Sequence, residues 1–110
     1  MRLYKLFKRY RNSENINIEE LKNLIKINKE VILIDVRSPQ EYKEGHLGLS
    51  INIPLYDLER DIDNILNKDK TKTIILYCQS GNRSNKALQI LKDRNYKNLY
   101  QIEGGLDNIK

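Results

Sequence analysis

A single cysteine begins a short polar loop in this sequence. Cys78 directly follows the apolar run TIILY, and six polar or small residues come after it: Gln79, Ser80, Gly81, Asn82, Arg83 and Ser84. The apolar run predicts a buried strand, and the pattern that starts at Ser84 predicts a helix with that serine as its N-cap. A strand, a glycine-containing loop and a helix N-terminus together form the usual layout of an anion site, because backbone N–H groups converge on one point. We expect the sulfur of Cys78 to lie at that point.

The same loop indicates a reactive cysteine. The thiolate is the nucleophilic form, and a helix N-terminus with a nearby cation such as Arg83 stabilises it. A lone cysteine after a buried strand is more commonly an inert core residue, but an inert residue has no need of the glycine, arginine and serine that follow here. We therefore predict that Cys78 is the nucleophile, that residues 79–84 bind the substrate, and that Gly81 allows a sharp bend of the loop.

A second polar segment follows the other strongly apolar run, VILID. Ligands collect at the carboxyl ends of parallel strands, so Asp35 and Arg37 should lie at the same edge as the cysteine loop. Glu41 comes four residues after Arg37, and we expect these two side chains to form an ion pair that fixes the segment. All three are predicted to be scaffold for the site rather than catalytic acids or bases. His46, the sole imidazole of the sequence, is predicted to be structural.

The rest of the pattern alternates helices with short strands. Asn17 and Glu20 have the spacing of a capping box at the start of the first helix. The predicted helices cover residues 18–29, 39–42 and 55–67 and the segment that begins at 84, and the predicted strands cover 31–35, 50–54, 73–77 and 98–102. This alternation implies a mostly parallel sheet covered on both faces. At 110 residues the chain has about the length of one domain, so the predicted fold is a single α/β domain with three layers, α/β/α.

Positive charge is concentrated at the N-terminus. Residues 1–11 contain five basic residues and no acid, and the other fifteen basic residues of the chain are balanced by fifteen acidic ones. We predict a basic arm over residues 1–15 and a folded domain over 16–110. Because the domain itself is neutral and has no basic stripe, we expect no nucleic-acid partner. Contact of the arm with a membrane surface is a less favoured alternative.

Composition also indicates where in the cell the protein is located and which cofactors it can bind. No apolar run is long enough to span a bilayer, and the N-terminus lacks the apolar centre of a signal peptide, so a cytoplasmic location is expected. One cysteine and one histidine cannot build a Cys/His zinc site. We expect no metal and no other cofactor.

Three segments resemble the rhodanese-like domain family. DVRSPQEYKEGHLGLSINIP, at 35–54, is similar to the family pattern D-V-R-x-x-x-E-Y-x-x-G-H-I-x-G-A-x-N-I-P. CQSGNRS, at 78–84, is similar to its C-x-x-G-x-R-S loop, and YKNLYQIEGGL, at 96–106, to its closing strand and Gly-Gly turn. The three segments occur in the same order as in the family. Together they extend the resemblance over residues 16–110. The resemblance implies the three-layer fold and sulfur transfer through a cysteine persulfide.

The sequence departs from the family pattern at two places. Leu49 stands where the family usually has glycine, and we expect a local backbone adjustment there. The tryptophan that often follows the Gly-Gly turn is absent, and residues 106–110 leave room for at most one helical turn.

The predicted function is that of a sulfurtransferase. It would move a sulfane sulfur from a small-molecule donor such as thiosulfate to a thiol or cyanide acceptor, through a persulfide on Cys78. A sulfur-relay protein is an alternative partner. Basic side chains at the start of the loop would favour a dianion such as thiosulfate, whereas Gln79 and Ser80 are neutral. Thiosulfate could therefore be no more than a model donor.

Two alternative functions remain open. The first is a sulfur-carrier or docking module that serves a partner protein. The second is arsenate or phosphate chemistry, which enzymes of a similar fold perform with a C-x5-R loop. Only four residues separate Cys78 from Arg83 here. The shorter loop encloses a smaller pocket, which is better suited to a sulfur atom than to a tetrahedral oxyanion.

Overall fold

The computed structural model describes residues 14–28 and 30–109, so nearly all of the predicted basic arm lies outside the described residues. Its elements in chain order are β1 (Asn15–Ile16), α1 (Ile18–Ile27), β2 (Ile32–Asp35), α2 (Pro39–Glu44), β3 (Ile51–Asn52), α3 (Leu55–Ile65), β4 (Thr73–Tyr77), α4 (Asn82–Asp93), β5 (Asn98–Ile102) and a closing 3-10 helix (Gly105–Asn108). Among the described residues, no helix combines the length and the apolar character needed to cross a membrane.

Five parallel strands form one sheet in the order β1-β5-β4-β2-β3. The central strand β4 lies between β2 and β5. Asp35, the last residue of β2, is in register with Tyr77, the last residue of β4, so the loops that follow these two strands start side by side. This register brings the two polar segments of the sequence to one edge of the sheet.

The unbroken apolar run of β4 is explained by burial on both faces. Ile74 and Leu76 pack against α3 and α4, whereas Ile75 and Tyr77 face the layer that contains α1 and the 3-10 helix. All four side chains are fully buried. A strand covered on both faces has no solvent side for polar residues, so its sequence does not alternate. The predicted single α/β/α domain with a parallel sheet is confirmed.

Several element boundaries differ from the predictions. Strand β1 was not predicted, because two residues carry no periodic signal; it joins the sheet through pairing of Ile16 with Ile102. The predicted domain boundary at residue 16 stays a prediction. The predicted N-cap role of Ser84 is wrong, since α4 begins at Asn82 with Gly81 as its N-cap. Ser84 instead lies in the first turn of that helix, where its N–H group donates to the sulfur of Cys78.

Two helices begin with capping boxes. The predicted pair of Asn17 and Glu20 is present at α1, where each side chain binds the other residue's backbone N–H. Ser38 and Glu41 form a second capping box at α2, with Pro39 in the first turn. Capping satisfies N–H groups that have no partner within the helix. Short α2 is thereby fixed directly after the polar segment that follows β2.

Leu49 adopts a backbone conformation that favours glycine. Its φ is +72°, in the left-handed region that L-residues with a β-carbon rarely occupy. Its side chain is 84% exposed and offers little packing in compensation. The leucine therefore occupies a conformation that a glycine would adopt without strain.

Replacing Leu49 with glycine should stabilise the protein. The left-handed conformation costs an L-residue about 1–2 kcal/mol, and the added chain entropy of glycine in the unfolded state offsets roughly 0.5–1 kcal/mol of that. We expect a net gain of about 0.5–1 kcal/mol, which raises Tm by a few degrees for a domain of this size. Thermal unfolding of Leu49→Gly measures it. The control is Leu49→Ala, which keeps the β-carbon; an equal gain for alanine would contradict the backbone explanation.

Candidate active site

The loop after β4 surrounds the sulfur of Cys78 with backbone donors. The N–H of Gly81 points at Sγ from 3.0 Å and the N–H of Ser84 from 3.3 Å. Gly81 has a φ of +104°, a left-handed conformation that turns its N–H inward and that suits glycine. The cysteine itself is fully buried. A negative charge on this sulfur would thus be stabilised by two fixed N–H dipoles at the start of α4.

A chain of polar side chains extends from the sulfur to the neighbouring strand. The Cys78 thiol donates to the Ser84 hydroxyl at 3.6 Å, and that hydroxyl donates to Oε1 of Gln101 on β5 at 2.8 Å. Nε2 of Gln101 donates in turn to Asn85. Gln101 is buried, and its amide fixes the direction of the Ser84 hydroxyl. Gln101 was not predicted as a site residue, although a polar residue inside the run NLYQI is the kind of signal that indicates one.

The Gly-Gly turn after β5 supports the loop from its other side. The N–H of Leu106 donates to the carbonyl of Cys78 at 3.0 Å, and the N–H of Asp107 donates to the carbonyl of Gln79 at 2.9 Å. A β-carbon on Gly105 would lie 2.5 Å from the carbonyl oxygen of Cys78, far closer than van der Waals contact allows. Glycine is therefore required at position 105 for these two hydrogen bonds to form.

Arg83 and Glu41 join the two polar segments. Nη1 of Arg83 lies 2.7 Å from Oε1 of Glu41, and Nη2 lies 3.0 Å from Oε2, which makes a bidentate pair. Glu41 also accepts the N–H of Ser38 in the capping box of α2. The hydrogen bonds from Arg83 and then from Ser38 lower the pKa of Glu41 from 4.5 to about 2, and the same pairing raises the pKa of Arg83.

The expected pair of Arg37 with Glu41 is wrong. Arg37 binds both carboxylate oxygens of Asp35, since Nη2 donates to Oδ2 at 2.7 Å and Nε donates to Oδ1 at 3.0 Å, and its Nη2 also donates to the carbonyl of Gly45. Asp35 is fully buried, and a buried carboxylate needs a cation and hydrogen-bond donors close by. The i,i+4 spacing was misleading because Arg37 precedes the N-cap Ser38 and so does not share a helix face with Glu41.

The predicted residues of the cysteine loop differ in what they contact. The N–H groups of Gly81 and Ser84 donate to the sulfur, and Arg83 closes the loop through Glu41. The side chains of Ser80 and Asn82 are exposed. Gln79 does not face the sulfur with its amide, because Nε2 donates to Oδ1 of Asp107 at 2.6 Å. Asp107 and Gly105 are site residues that the sequence analysis did not single out.

His46 lies in the segment after α2. Its ring stacks on Tyr42 with centroids 3.6 Å apart, and Nδ1 lies 2.7 Å from the carbonyl oxygen of the same residue. These contacts agree with the structural role that the sequence indicated.

The fold and the cysteine loop match those of a known family. Residues 17–110 match the family model described as rhodanese-like domain. The chain therefore belongs to the rhodanese-like domain family, as its three sequence segments implied.

The chain is also similar to curated relatives and to solved structures. It is 35% identical over 94 residues to a protein of Buchnera aphidicola named tRNA uridine(34) hydroxylase, a match that covers 83% of this chain and 30% of that protein. The chain thus spans about a third of the length of this relative. Among solved structures, a rhodanese-related protein from Thermoplasma volcanium is 35% identical with a TM-score of 0.70, over 86% of this chain and 87% of that chain. A rhodanese with anions from E. coli is also 35% identical, with a TM-score of 0.64, over 72% of this chain and 91% of that chain.

Glu41→Gln should destabilise the protein in a way that depends on pH. The lowered pKa means that the ionised carboxylate stabilises the fold above about pH 4.5, and that this contribution is lost as the pH falls towards 2. For a partly exposed bidentate pair we expect a loss of about 1 kcal/mol at pH 7. The difference between variant and native protein should shrink as the pH falls through that window, because protonated glutamate resembles glutamine.

Urea unfolding between pH 7 and pH 2.5 measures this difference. Glu44→Gln is the matched control, since Glu44 lies on the same helix but is exposed and binds the neutral amide of Gln40. A difference for Glu41→Gln that stayed constant down to pH 2.5 would contradict the assigned ion pair.

Proposed function

We propose that the domain is a sulfurtransferase that carries a sulfane sulfur as a persulfide on Cys78. The observation that carries the proposal is the buried sulfur with the N–H groups of Gly81 and Ser84 aimed at it. Donors fixed before the reaction stabilise a negative charge without the cost of reorganising water around it. A sulfur transfer places such a charge at this site twice. The charge is on the thiolate before the sulfur arrives and on the persulfide afterwards.

The reaction proceeds in two displacement steps. The Cys78 thiolate attacks the outer sulfur of a donor such as thiosulfate; the donor's S–S bond breaks, and sulfite leaves with the bonding electron pair. A thiolate or cyanide acceptor then attacks the outer sulfur of the persulfide, and the Cys78 thiolate leaves with the electron pair of the second S–S bond. Neither step changes the count of atoms or electrons, and neither needs a metal ion.

The remaining loop residues support the same nucleophile. Ser84 accepts from the thiol at 3.6 Å and donates its own proton to Gln101 at 2.8 Å. Arg83 closes the loop through its pair with Glu41. These residues position and stabilise the sulfur, and the bond changes occur on the sulfur alone.

The arrangement of Arg83 favours sulfur over phosphate or arsenate chemistry. An enzyme that binds a tetrahedral oxyanion in a cysteine loop needs a guanidinium whose fork of N–H donors is directed at the oxygens of that anion. Here Nη1 and Nη2 of Arg83 both bind the carboxylate of Glu41. Together with the short spacing between Cys78 and Arg83, this pairing argues against the phosphate alternative.

Cys78→Ser should abolish sulfur transfer and leave the fold intact. The hydroxyl is nearly isosteric with the thiol and can accept from the same N–H groups, but it cannot form a persulfide. Intact mass after incubation with thiosulfate should show the gain of one sulfur atom, reversed by a reductant, in the native protein and not in the variant. The circular dichroism of both proteins serves as the control for folding. A reducible gain of sulfur on Cys78→Ser would overturn the assignment of the nucleophile.

A second candidate function is action on tRNA. The observation that favours it is the similarity to the Buchnera aphidicola relative named tRNA uridine(34) hydroxylase. That name stands against the sequence-based expectation of no nucleic-acid partner, which rested on the neutral charge of the domain. The five basic residues within residues 1–11 are a source of positive charge for phosphate contacts. We therefore include tRNA among the proposed partners.

Expression in a bacterium that lacks its own uridine(34) hydroxylase tests this candidate. The cell supplies the co-reactants that hydroxylation requires, and mass analysis of the purified tRNA detects one added oxygen atom on uridine 34. We expect the native chain to restore this modification if it acts as the relative's name says, and Cys78→Ser to show whether the cysteine takes part. Unchanged tRNA in cells that contain folded protein would remove this candidate.

A further inference from the structure

Gln101 is a buried polar side chain on a face of β5 that otherwise belongs to the core. Leu99 lies two residues earlier on the same face and packs in the cluster that contains the buried side of α4. A buried amide lowers stability unless its donor and its acceptor both have partners. Here Oε1 accepts from the hydroxyl of Ser84 at 2.8 Å, and Nε2 donates to Oδ1 of Asn85 at 3.1 Å. Both partners lie in the first turn of α4, so the side chain of Gln101 is directed at the end of the cysteine loop.

Three acceptors described around the Ser84 hydroxyl compete for its one proton. Oε1 of Gln101 lies at 2.8 Å, the carbonyl oxygen of Gly81 at 3.2 Å and the sulfur of Cys78 at 3.6 Å. A hydroxyl donates a single proton, and a thiol sulfur is a weaker acceptor than an amide oxygen. The proton therefore points to Gln101, in agreement with the thiol, which donates to the hydroxyl oxygen and does not accept from it.

This direction of the hydroxyl matters when the sulfur is ionised. The thiol proton then leaves to solvent, while the N–H groups of Gly81 and Ser84 still donate to the sulfur. The hydroxyl could add a third hydrogen bond only by turning its proton away from Gln101. That turn would take a donor from a buried amide oxygen, and a buried acceptor without a donor is costly. Gln101 thus opposes a hydrogen bond from Ser84 to the charged sulfur.

We infer that Gln101 is a positioning residue that keeps the Ser84 hydroxyl from donating to Cys78, so that the ionised sulfur relies on the backbone N–H groups and stays strongly nucleophilic. The inference rests on the proposed sulfurtransferase function and deepens it. A thiolate with fewer hydrogen-bond donors is less abundant at low pH, but it is more nucleophilic once it has formed. Gln101 acts through Ser84 and takes no part in the bond changes.

Charged side chains around the loop also affect the ionisation of Cys78. They belong to the end of β2 and the segment after it, to α2, to α4 and to the turn after β5, and they are Asp35, Arg37, Glu41, Arg83, Lys86, Glu103 and Asp107. Gln101 itself carries no charge. A neutral substitution at position 101 therefore changes the hydrogen bonds of Ser84 while all these charges remain.

The pH profile of Cys78 alkylation by iodoacetamide tests the inference. Gln101→Met removes the acceptor at nearly unchanged volume, and water replaces the lost donor of Asn85, which is exposed. We expect the midpoint of the profile to fall by about 0.5–1 pH unit, because the released hydroxyl now donates to the thiolate. Leu99→Met is the matched control, since it changes a buried side chain on the same face without touching Ser84, and its midpoint should not move.

The rate of sulfur uptake should change in opposite directions at low and high pH. Well above the midpoint, Gln101→Met should take sulfur from thiosulfate about two- to threefold more slowly, because a better stabilised thiolate is a weaker nucleophile. Below the midpoint the variant should be faster, because more of its cysteine is ionised. Intact mass against time measures both rates. A merely structural disturbance would slow the uptake at every pH, so the two profiles would not cross.

Ser84→Ala gives a second test that does not depend on the folding of a Gln101 variant. If the hydroxyl accepts from the thiol and does not donate to the ionised sulfur, its removal takes a partner from the thiol form alone. The midpoint of alkylation should then fall slightly or stay where it is. Adding Gln101→Met to Ser84→Ala should cause no further fall, because the hydroxyl through which Gln101 acts is absent.

Three outcomes would overturn the role of Gln101. These are a midpoint that rises in Ser84→Ala, a midpoint that does not fall in folded Gln101→Met, and a fall of equal size when Gln101→Met is added to Ser84→Ala. Circular dichroism checks folding, and the Ser84→Ala result decides if Gln101→Met does not fold. Alkylation needs no sulfur transfer, so the two proposals fail separately. A native protein that gains no sulfur from thiosulfate but shows the expected alkylation profiles refutes the sulfurtransferase function and supports the role of Gln101 in ionisation.

Discussion

The site depends on one electrostatic constraint, which is that a charged sulfur must be stabilised where water cannot reach it. Cys78 directly follows the central strand and is fully buried, so an ionised sulfur there has lost its hydration and needs compensating dipoles. The N–H groups of Gly81 and Ser84 supply them at 3.0 and 3.3 Å. The bend of the loop and the early start of α4 at Asn82 both follow from the need to turn these N–H groups towards one atom.

The loop keeps this shape because other segments bind it on both sides. Glu41 serves two purposes, since it completes the capping box of α2 and also holds Arg83. On the opposite side, the turn at Gly105 brings backbone N–H groups to the carbonyls of Cys78 and Gln79. The loop is thus tied to the segment after β2 and to the segment after β5. A rigid support of this kind is what a site built from backbone dipoles requires.

Sequence patterns predicted the features that burial and local spacing determine, which are the strands and the helix starts. They predicted few of the contacts between distant segments. The runs before Asp35 and Cys78 predicted buried parallel strands because both faces of those strands are covered, and Asn17 predicted a helix start because capping is local. The partner of Arg83 could not be derived in the same way, since Glu41 lies far away along the chain and meets it only through the register of β2 and β4. Gln101 stands out as a polar residue inside NLYQI, but its contact with Ser84 could not be predicted for the same reason, because it exists only once β5 lies beside β4.

The turn at Gly105 also has a consequence for the order of events during synthesis. The cysteine loop leaves the ribosome well before residues 105–107, whose backbone donors hold the carbonyls of Cys78 and Gln79. Strand β5, which carries Gln101, likewise emerges after the loop. A nascent chain that has just exposed its cysteine therefore holds a thiol without the support that shapes its surroundings, and the reactive geometry is complete only after nearly all of the domain has been translated.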